Sequence, residues 1–132
     1  MMTGIRGLAA LVIDDEPAIR ELFVDMLKFF VGVDTVDVAD SGAAGLALFD
    51  RHHYDVVLTD FLMPGLSGTE VADALLRRDP RVKVVMLSGS VTAEDVDQLR
   101  ARGIVVLAKP VSIDCFKATI ERVLRGQGTA PL

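Results

Sequence analysis

The amino-acid sequence predicts an α/β protein with a doubly wound, five-stranded parallel sheet and five helices. Apolar stretches alternate with stretches of helical periodicity along nearly the whole chain, as in repeated βαβ units. Residues 8–13, 56–59 and 104–108 are almost entirely apolar, which is typical of strands buried on both faces of a parallel sheet. A charged residue follows each of these three runs. The carboxyl ends of the strands are therefore the candidate functional edge.

The length and composition favour a single folded domain. A chain of 132 residues leaves little room for a second core, and 51% hydrophobic with 25% charged residues is typical of a folded protein. The formal net charge of -5 argues against electrostatic wrapping of nucleic acid. A local basic patch is expected to be a solvated helix end; it consists of Arg77, Arg78, Arg81 and Lys83.

Cysteine usage and the short apolar runs favour a cytoplasmic location. The single cysteine, Cys115, cannot form an intrachain disulfide, so nothing indicates an oxidising compartment. The apolar run at residues 8–13 is too short for a signal-peptide core or a membrane span. We therefore expect a cytoplasmic protein without a membrane segment.

The chain after the first strand is predicted to form a helix, a strand and a second helix. Pro17 suits the first position of a helix, which is expected to end near Gly32. Residues 33–39 form the second strand, and Ser41-Gly42 opens a short second helix. The apolar face of the first helix recurs at three- and four-residue spacing and consists of Ile19, Leu22, Phe23, Met26, Leu27 and Phe30.

The alternation continues through the middle of the chain. The third strand, residues 56–59, leads into a loop rich in helix breakers at 63–68 and then into the third helix. Residues 82–87 form the fourth strand. Thr92 is expected to cap the fourth helix, since Asp95 stands three residues further on, as in a capping box.

The last predicted elements are a strand and a helix. The fourth helix ends at Gly103, and residues 104–108 form the fifth strand. The tail, residues 126–132, is polar and contains Gly and Pro. The apolar face of the last helix consists of Phe116, Ile120, Val123 and Leu124.

Acidic residues gather at the predicted carboxyl edge of the sheet. Asp14, Asp15 and Glu16 follow the first strand, and Asp60 follows the third. A single acid at a strand-to-helix junction is explained as a helix cap. Several carboxylates at one edge repel each other unless a cation or a proton compensates. Since no histidine or cysteine is expected nearby, Mg²⁺ is the leading candidate.

The same edge offers groups suited to phosphoryl transfer. A carboxylate can act as a covalent nucleophile, and Asp60 is the best placed for this role. Lys109 could neutralise charge on a transferred group, and the Ser88 hydroxyl could bond a phosphoryl oxygen. Taken singly, a lysine after a strand usually faces solvent, and Ser88-Gly89 is an ordinary turn. Their joint placement carries the hypothesis.

Four motifs follow four of the predicted strands. They are Asp14-Asp15 after the first strand, Asp60-Phe61-Leu62-Met63-Pro64-Gly65 after the third, Ser88 after the fourth and Lys109-Pro110 after the fifth. In this combination the chain resembles the receiver domain of two-component response regulators, over residues 8–125. The resemblance implies a flavodoxin-like fold with strand order 2-1-3-4-5. It also implies a phosphoacceptor switch, not an enzyme with its own turnover substrate.

The resemblance implies a role for each site residue. Asp60 is the expected phosphoacceptor, and Lys109 pairs with Asp60 or with its phosphoryl group. The expected Mg²⁺ ligands are Asp15, Asp60 and the backbone carbonyl of Leu62, with Asp14 acting mainly through water. In this family the corresponding Lys-Pro peptide bond is commonly cis, and the sequence leaves open which isomer Lys109-Pro110 adopts.

One position departs from the family pattern. Three residues before Lys109, where the family usually has a Tyr or Phe whose rotamer follows phosphorylation, this chain has Val106. A branched aliphatic side chain cannot swing as a large ring does. Coupling to the outer face is therefore expected to run mainly through Ser88 and the loop into the fourth helix.

The expected function is phosphorelay signalling. A histidine kinase or a phosphotransfer protein donates the phosphoryl group, and the domain shifts between two states. The surface of the fourth helix, fifth strand and fifth helix then controls an unknown effector or a second copy of the chain. Neither nucleic acid nor a membrane is an expected partner. Residues 1–125 are expected to form one receiver domain, and residues 126–132 a tail or the start of a linker.

Three alternatives stay open. One is a Mg²⁺-dependent phosphatase, although enzymes of the haloacid-dehalogenase type place a second acid where this chain has Leu62. Another is a flavodoxin-like cofactor binder, although the acids at residues 14–16 would repel a phosphate. The last is a receiver-like module that works by contact alone, which the absence of an aromatic residue at Val106 makes conceivable.

Overall fold

The computed structural model describes residues 7–126 and contains a five-stranded parallel sheet. All neighbouring strands pair in parallel, and their order across the sheet is 2-1-3-4-5. The predicted fold class and strand order are therefore confirmed. The strands are β1 (Ala9–Ile13), β2 (Thr35–Ala39), β3 (Val56–Asp60), β4 (Val84–Ser88) and β5 (Val105–Ala108).

The described part of the chain contains five α-helices, of which the first four connect successive strands and the fifth follows β5. Parallel strands need such crossover connections, so the carboxyl ends of all five strands lie at the same edge. The first helix continues directly into a π-helical segment, Met26–Val31. The helices are α1 (Pro17–Asp25), α2 (Gly42–Arg51), α3 (Gly68–Arg78), α4 (Ala93–Ala101) and α5 (Ile113–Leu124).

Two apolar cores cover the two faces of the sheet. On one face, α1, the π-helical segment and α5 pack together, with the rings of Phe23 and Phe116 5.3 Å apart. On the other face, α3 and α4 contribute Leu75 and Leu99. Every residue of β3 and β4 is buried. Burial on both faces is why these strands are continuous apolar runs in the sequence.

Hydroxyl side chains cap four of the five α-helices. Each accepts a hydrogen bond from the backbone amide three residues further on, which satisfies an otherwise unpaired donor. The predicted capping box of Thr92 and Asp95 is confirmed, and Pro17 occupies the first turn of α1 as predicted. The caps are Ser41 on α2, Ser67 on α3, Thr92 on α4 and Ser112 on α5.

The first helix is wound differently from the prediction. It ends where expected, at Gly32 with a φ of 88°, but Met26–Val31 is π-helical. The amide of Gly32 donates to the carbonyl of Leu27, five residues back, at 2.9 Å. Because a π-helical turn holds more residues than an α-helical turn, it shifts the phase of the apolar face. Val31 is buried, whereas Phe30, predicted to face the core, is 46% exposed.

Other positions also differ from the prediction. Leu22, predicted on the apolar face of the first helix, is 50% exposed, because the adjacent Phe23 takes the core position. β2 begins at Thr35 and not at residue 33, since the amide of Val33 still bonds the carbonyl of Leu27. β1, β4 and β5 likewise begin one or two residues later than predicted.

The predicted basic patch begins at the carboxyl end of α3. Arg77 and Arg78 are exposed in the last turn of this helix, and Arg81 is exposed in the following loop. The guanidinium of Arg78 pairs with Asp50 of α2 at 2.7 Å. The patch lies at the edge of the sheet opposite the acids, as expected for a solvated helix end.

Residues 7–126 contain no helix that is both long and apolar enough to cross a membrane. The predicted tail, residues 126–132, lies outside the described residues except for Gly126.

Candidate functional site

Four of the predicted site residues lie at the carboxyl ends of four adjacent strands. Asp60 and Ser88 are the last residues of β3 and β4. Asp14 and Lys109 directly follow β1 and β5. Since β1, β3, β4 and β5 are neighbours in the sheet, the fold brings these residues to one edge. The edge predicted from the sequence is therefore the one on which they meet.

Three carboxylates form a cluster at this edge. Asp14, Asp15 and Asp60 each offer an oxygen, and the three oxygens lie within 4.8 Å of one another. Asp14 is 1% exposed and Asp60 is 9% exposed, whereas Asp15 is open to solvent. All donors in this set are hard oxygen ligands, which Mg²⁺ prefers to nitrogen or sulfur. The donor set thus fits the predicted ion.

Asp14 is held at three of its four polar groups. Its amide donates to the carbonyl of Ala39 at 3.1 Å, and its Oδ1 accepts from the amide of Glu16 at 2.9 Å. Its main-chain carbonyl accepts from Arg20 at 2.7 Å. Its Oδ2 is buried and has no hydrogen-bond partner. A buried oxygen without a partner is costly, so this atom indicates a place for a cation.

The environment raises the pKa of Asp14 above its ordinary value. The largest cause is burial, which disfavours the charged carboxylate. The negative charges of Asp60 and Asp15 raise this pKa further, while the hydrogen bond from Glu16 and the charge of Lys109 lower it. At Asp14, burial and the neighbouring carboxylates therefore outweigh the hydrogen bond from Glu16 and the charge of Lys109.

Lys109 brings a positive charge to the cluster. Its Nζ lies 3.5 Å from Oδ1 of Asp60 and 3.9 Å from Oδ2 of Asp14. Its amide donates to the carbonyl of Ser88 at 2.8 Å, which fixes its backbone beside β4. The peptide bond between Lys109 and Pro110, whose isomer the sequence left open, is cis, as is common in the family that the sequence resembles.

The carboxylate of Asp60 is bonded on one side only. Oδ1 accepts from the amide of Phe61 at 2.9 Å and from Lys109 at 3.5 Å. Within residues 7–126, no hydrogen bond reaches the other oxygen, Oδ2. One oxygen is thus oriented by the protein, and the other is free to react or to bind a ligand.

The loop after Asp60 is fixed by a close approach of α3. The amide of Gly68 donates to the carbonyl of Phe61 at 2.9 Å. A Cβ atom at Gly68 would lie 2.2 Å from the carbonyl oxygen of Asp60, so no other residue fits there without movement of the backbone. Gly65 adopts a φ of 80° in the same loop. Leu62 lies in the same loop, between Asp60 and Gly65, and it is 60% exposed.

Ser88 and Val106 occupy buried positions. The Ser88 hydroxyl is 2% exposed and accepts from the amide of Ser90 at 3.1 Å. In this structure it is therefore engaged by its own turn. Val106 is 1% exposed and lies opposite Met86 in the register of β4 and β5. The position where the family usually has an aromatic residue is filled here by a core side chain.

The hydrogen bond from Arg20 to the main chain of Asp14 was not predicted from the sequence. An arginine in the first turns of an amphipathic helix is ordinarily a solvated residue, so nothing in the sequence marked it. The structure shows that its Nη1 reaches back across the loop to the carbonyl of Asp14. The loop carrying two of the three clustered acids is therefore tied to α1.

The fold and the position of its acids define a class of flavodoxin-like domains that carry their chemistry on aspartates at strand ends. Within this class, a family model described as "Response regulator receiver domain" matches residues 10–121. The chain belongs to the response regulator receiver domain family. Receiver domains act as phosphoacceptor switches in two-component phosphorelay signalling, and they bind Mg²⁺ at an acidic pocket. The match favours this function over the phosphatase and flavodoxin-like alternatives.

Relatives and solved structures show the same family. The chain is 31% identical to a probable transcriptional regulatory protein, TcrX of Mycobacterium tuberculosis, over 92% of this chain and 51% of that protein. A receiver domain protein from Clostridium thermocellum superposes with a TM-score of 0.81 at 26% identity, covering 91% of this chain and 96% of that one.

A solved structure with bound ligands is also similar. The response regulator TrrA of Thermotoga maritima, in complex with Mg²⁺ and BeF, has a TM-score of 0.77 at 29% identity, covering 88% of this chain and 98% of that one. The chain spans about half the length of the curated relatives it matches.

Proposed function

We propose that Asp60 accepts a phosphoryl group from a histidine kinase or a histidine phosphotransfer protein. The observation that carries this proposal is the convergence of three carboxylates and one lysine at the carboxyl edge of the sheet. Asp60 has one oxygen oriented by Phe61 and Lys109 and one oxygen without a hydrogen bond, a pattern that it shares with Asp14. Asp60 is 9% exposed and Asp14 only 1%, so a phosphoryl donor reaches Asp60 more readily.

The transfer is a displacement at phosphorus. An oxygen of the Asp60 carboxylate attacks the phosphorus of the donor's phosphohistidine. The new phosphorus–oxygen bond forms as the phosphorus–nitrogen bond breaks. The imidazole leaves with the electron pair and takes up a proton from solvent. The ammonium of Lys109, 3.5 Å from Asp60, neutralises the phosphoryl oxygens as they arrive.

The acidic residues support Mg²⁺ as the cofactor. Asp14, Asp15 and Asp60 would hold the ion together with the carbonyl of Leu62, and the unpartnered oxygen of Asp14 supports this assignment. When bound, Mg²⁺ supplies positive charge against the phosphoryl oxygens. Without that charge, the negative charges of the three carboxylates repel an anionic donor.

Phosphorylation then changes the surface that partners contact. The new oxygens draw the hydroxyl of Ser88 away from Ser90 and keep Lys109 in contact, so that the loop into α4 shifts. Because Val106 is a buried core residue, the readout runs through this loop and not through a ring on β5. The partner is an effector domain or protein, or a second copy of the chain.

The proposed role defines the rest of the molecule. Residues 1–125 act as one receiver domain in the cytoplasm, and residues 126–132 form a tail or the start of a linker. The domain has no turnover substrate; its own hydrolysis of the acyl phosphate resets it. Neither nucleic acid nor a membrane is a direct partner of this domain, whose net charge is -5.

The direct test is phosphorylation by a small donor. Wild-type protein incubated with acetyl phosphate and Mg²⁺ should gain the mass of one phosphoryl group, and EDTA should prevent the gain. The variant Asp60→Asn should gain nothing, while Asp97→Asn, which removes an exposed acid of α4, should behave as wild type. An adduct that persists in Asp60→Asn would refute the assignment of the phosphoacceptor.

Val106 favours a second candidate, a receiver that works by contact alone. Its buried aliphatic side chain lacks the ring on which the usual readout depends. Beryllium fluoride with Mg²⁺ mimics a phosphoryl group and separates the two candidates. Shifts of amide resonances in α4 and β5 would support the phosphorylated switch, whereas shifts confined to the acidic cluster would support the contact-only module.

A further inference from the structure

We propose that Arg20 is a positioning residue for the metal site. It holds the main chain of Asp14 so that the one unpartnered carboxylate oxygen of this residue faces the acidic cluster. This inference rests on the proposed Mg²⁺ site, and it assigns a role to a side chain that does not itself offer an oxygen ligand.

The hydrogen bonds around Asp14 carry the argument. Ala39 fixes its amide, Glu16 fixes Oδ1 and Arg20 fixes the carbonyl, at distances of 3.1, 2.9 and 2.7 Å. Two of these bonds are made within the main chain and its turn. The bond from Arg20 is the one that comes from a side chain, so it is the one that a substitution can remove.

The group that Arg20 bonds supports a positioning role. Arg20 lines a surface cleft together with the acidic residues Glu21 and Asp25. Within residues 7–126, however, Arg20 forms no ion pair with an acid within 4.0 Å. Its guanidinium instead donates a charge-assisted hydrogen bond to a main-chain carbonyl, which fixes direction as well as distance.

Positioning and charge predict opposite effects of removing Arg20. If the guanidinium acted only as a positive charge near the cluster, its loss would reduce repulsion and Mg²⁺ would bind more tightly. If it orients Asp14, its loss lets the loop relax and Mg²⁺ binds more weakly. Residues that orient metal ligands typically change metal affinity by about tenfold or more when they are removed.

The test compares three variants with the wild type. Arg20→Met should weaken Mg²⁺ binding by about tenfold, and Arg20→Lys, which keeps the charge and one donor, should recover part of the loss. Arg78→Met is the matched control, because Arg78 also donates to a main-chain carbonyl, that of Ala74 at 3.2 Å, but at the opposite edge of the sheet. Its Mg²⁺ affinity should equal that of the wild type.

Amide resonances followed during titration with MgCl₂ give the affinity directly. The Glu16 amide is the local reporter, since it bonds Oδ1 of Asp14. Thermal unfolding in EDTA checks that each variant is folded. Wild-type affinity or tighter binding in Arg20→Met would overturn the positioning role while leaving the proposed function intact. A wild-type protein that does not bind Mg²⁺ would overturn both.

Discussion

A carboxylate that is 1% exposed and hydrogen-bonded at only one oxygen destabilises a folded protein unless a cation lies close enough to bond the other oxygen. Asp14 is in this position, and its Oδ2 has no hydrogen-bond partner. The same atom is the one that favours a metal ion at the edge. At the scale of single residues, the same buried oxygen therefore lowers the stability of the metal-free protein and favours the binding of a cation.

Asp14→Asn should stabilise the metal-free protein at neutral pH by about 1 to 3 kcal/mol, because an amide is easier to bury than a carboxylate with one oxygen left without a hydrogen bond. Urea unfolding in EDTA measures the change. Mg²⁺ should reduce or reverse the difference, since the wild-type carboxylate belongs to the proposed Mg²⁺ site. Asp15→Asn, which removes the exposed acid, should have a much smaller effect in EDTA. Equal stability of Asp14→Asn and wild type would contradict the prediction.

The pH dependence follows from the raised pKa of Asp14. The native state holds this proton more tightly than the unfolded state, so the wild-type protein loses stability as pH rises from the ordinary aspartate value through the native pKa. Below both values Asp14 is neutral in both states and imposes no penalty. The advantage of Asp14→Asn should therefore be absent in acid and fully present above the native pKa.

At the scale of elements, the approach of α3 to β3 positions the site. The first residue of α3, Gly68, lies so close to the end of β3 that a Cβ atom would meet the carbonyl oxygen of Asp60 at 2.2 Å and the sulfur of Met86 at 2.6 Å. The capping box of Ser67 and Glu70 fixes the start of the helix at this point. The backbone of the proposed phosphoacceptor is therefore held by a helix start.

Gly68→Ala should destabilise the protein by about 1 to 3 kcal/mol, because the added methyl group meets backbone and cannot be accommodated by a side-chain rotation. It should also slow phosphorylation by acetyl phosphate, since Asp60 moves. Gly89→Ala is the matched control, because a Cβ there meets nothing nearer than 3.9 Å. Chemical denaturation measures the stability of both variants, and the rate of mass gain with acetyl phosphate measures their phosphorylation. A loss in Gly89→Ala as large as that in Gly68→Ala would argue against the steric explanation.

The π-helical segment gives a second prediction at this scale. Phe30→Ala should cost only about 1 kcal/mol of unfolding free energy, because the residue is 46% exposed and its side chain is only partly buried. Phe23→Ala, one turn before the segment, should cost about 3 to 5 kcal/mol, because its ring is buried against Phe116. Urea unfolding compares the two variants. Similar losses would indicate that Phe30 faces the core, as a regular α-helix would require.

At the scale of the whole molecule, the sheet and its functional edge were predictable from the sequence. Burial on both faces makes each central strand an apolar run, and parallel pairing places Asp60 and Lys109 at one edge. The π-helical winding was not predictable, because the residues of that segment also fit a regular α-helix. The contact of Arg20 with Asp14 was not predictable either, since it depends on how the loop folds back in three dimensions.

The start of each α-helix has a consequence for the electrostatics of the edge. All five helices begin at the carboxyl edge of the sheet, and four begin with a hydroxyl cap. The aligned peptide dipoles of a helix place partial positive charge at its amino end. Main-chain dipoles thus supply part of the positive electrostatic potential at this edge. That potential stabilises the negative charge of the acids and would attract a phosphoryl dianion. Because this potential comes from the backbone, a change such as that at Val106 can alter the readout while the chemistry of the edge stays in place.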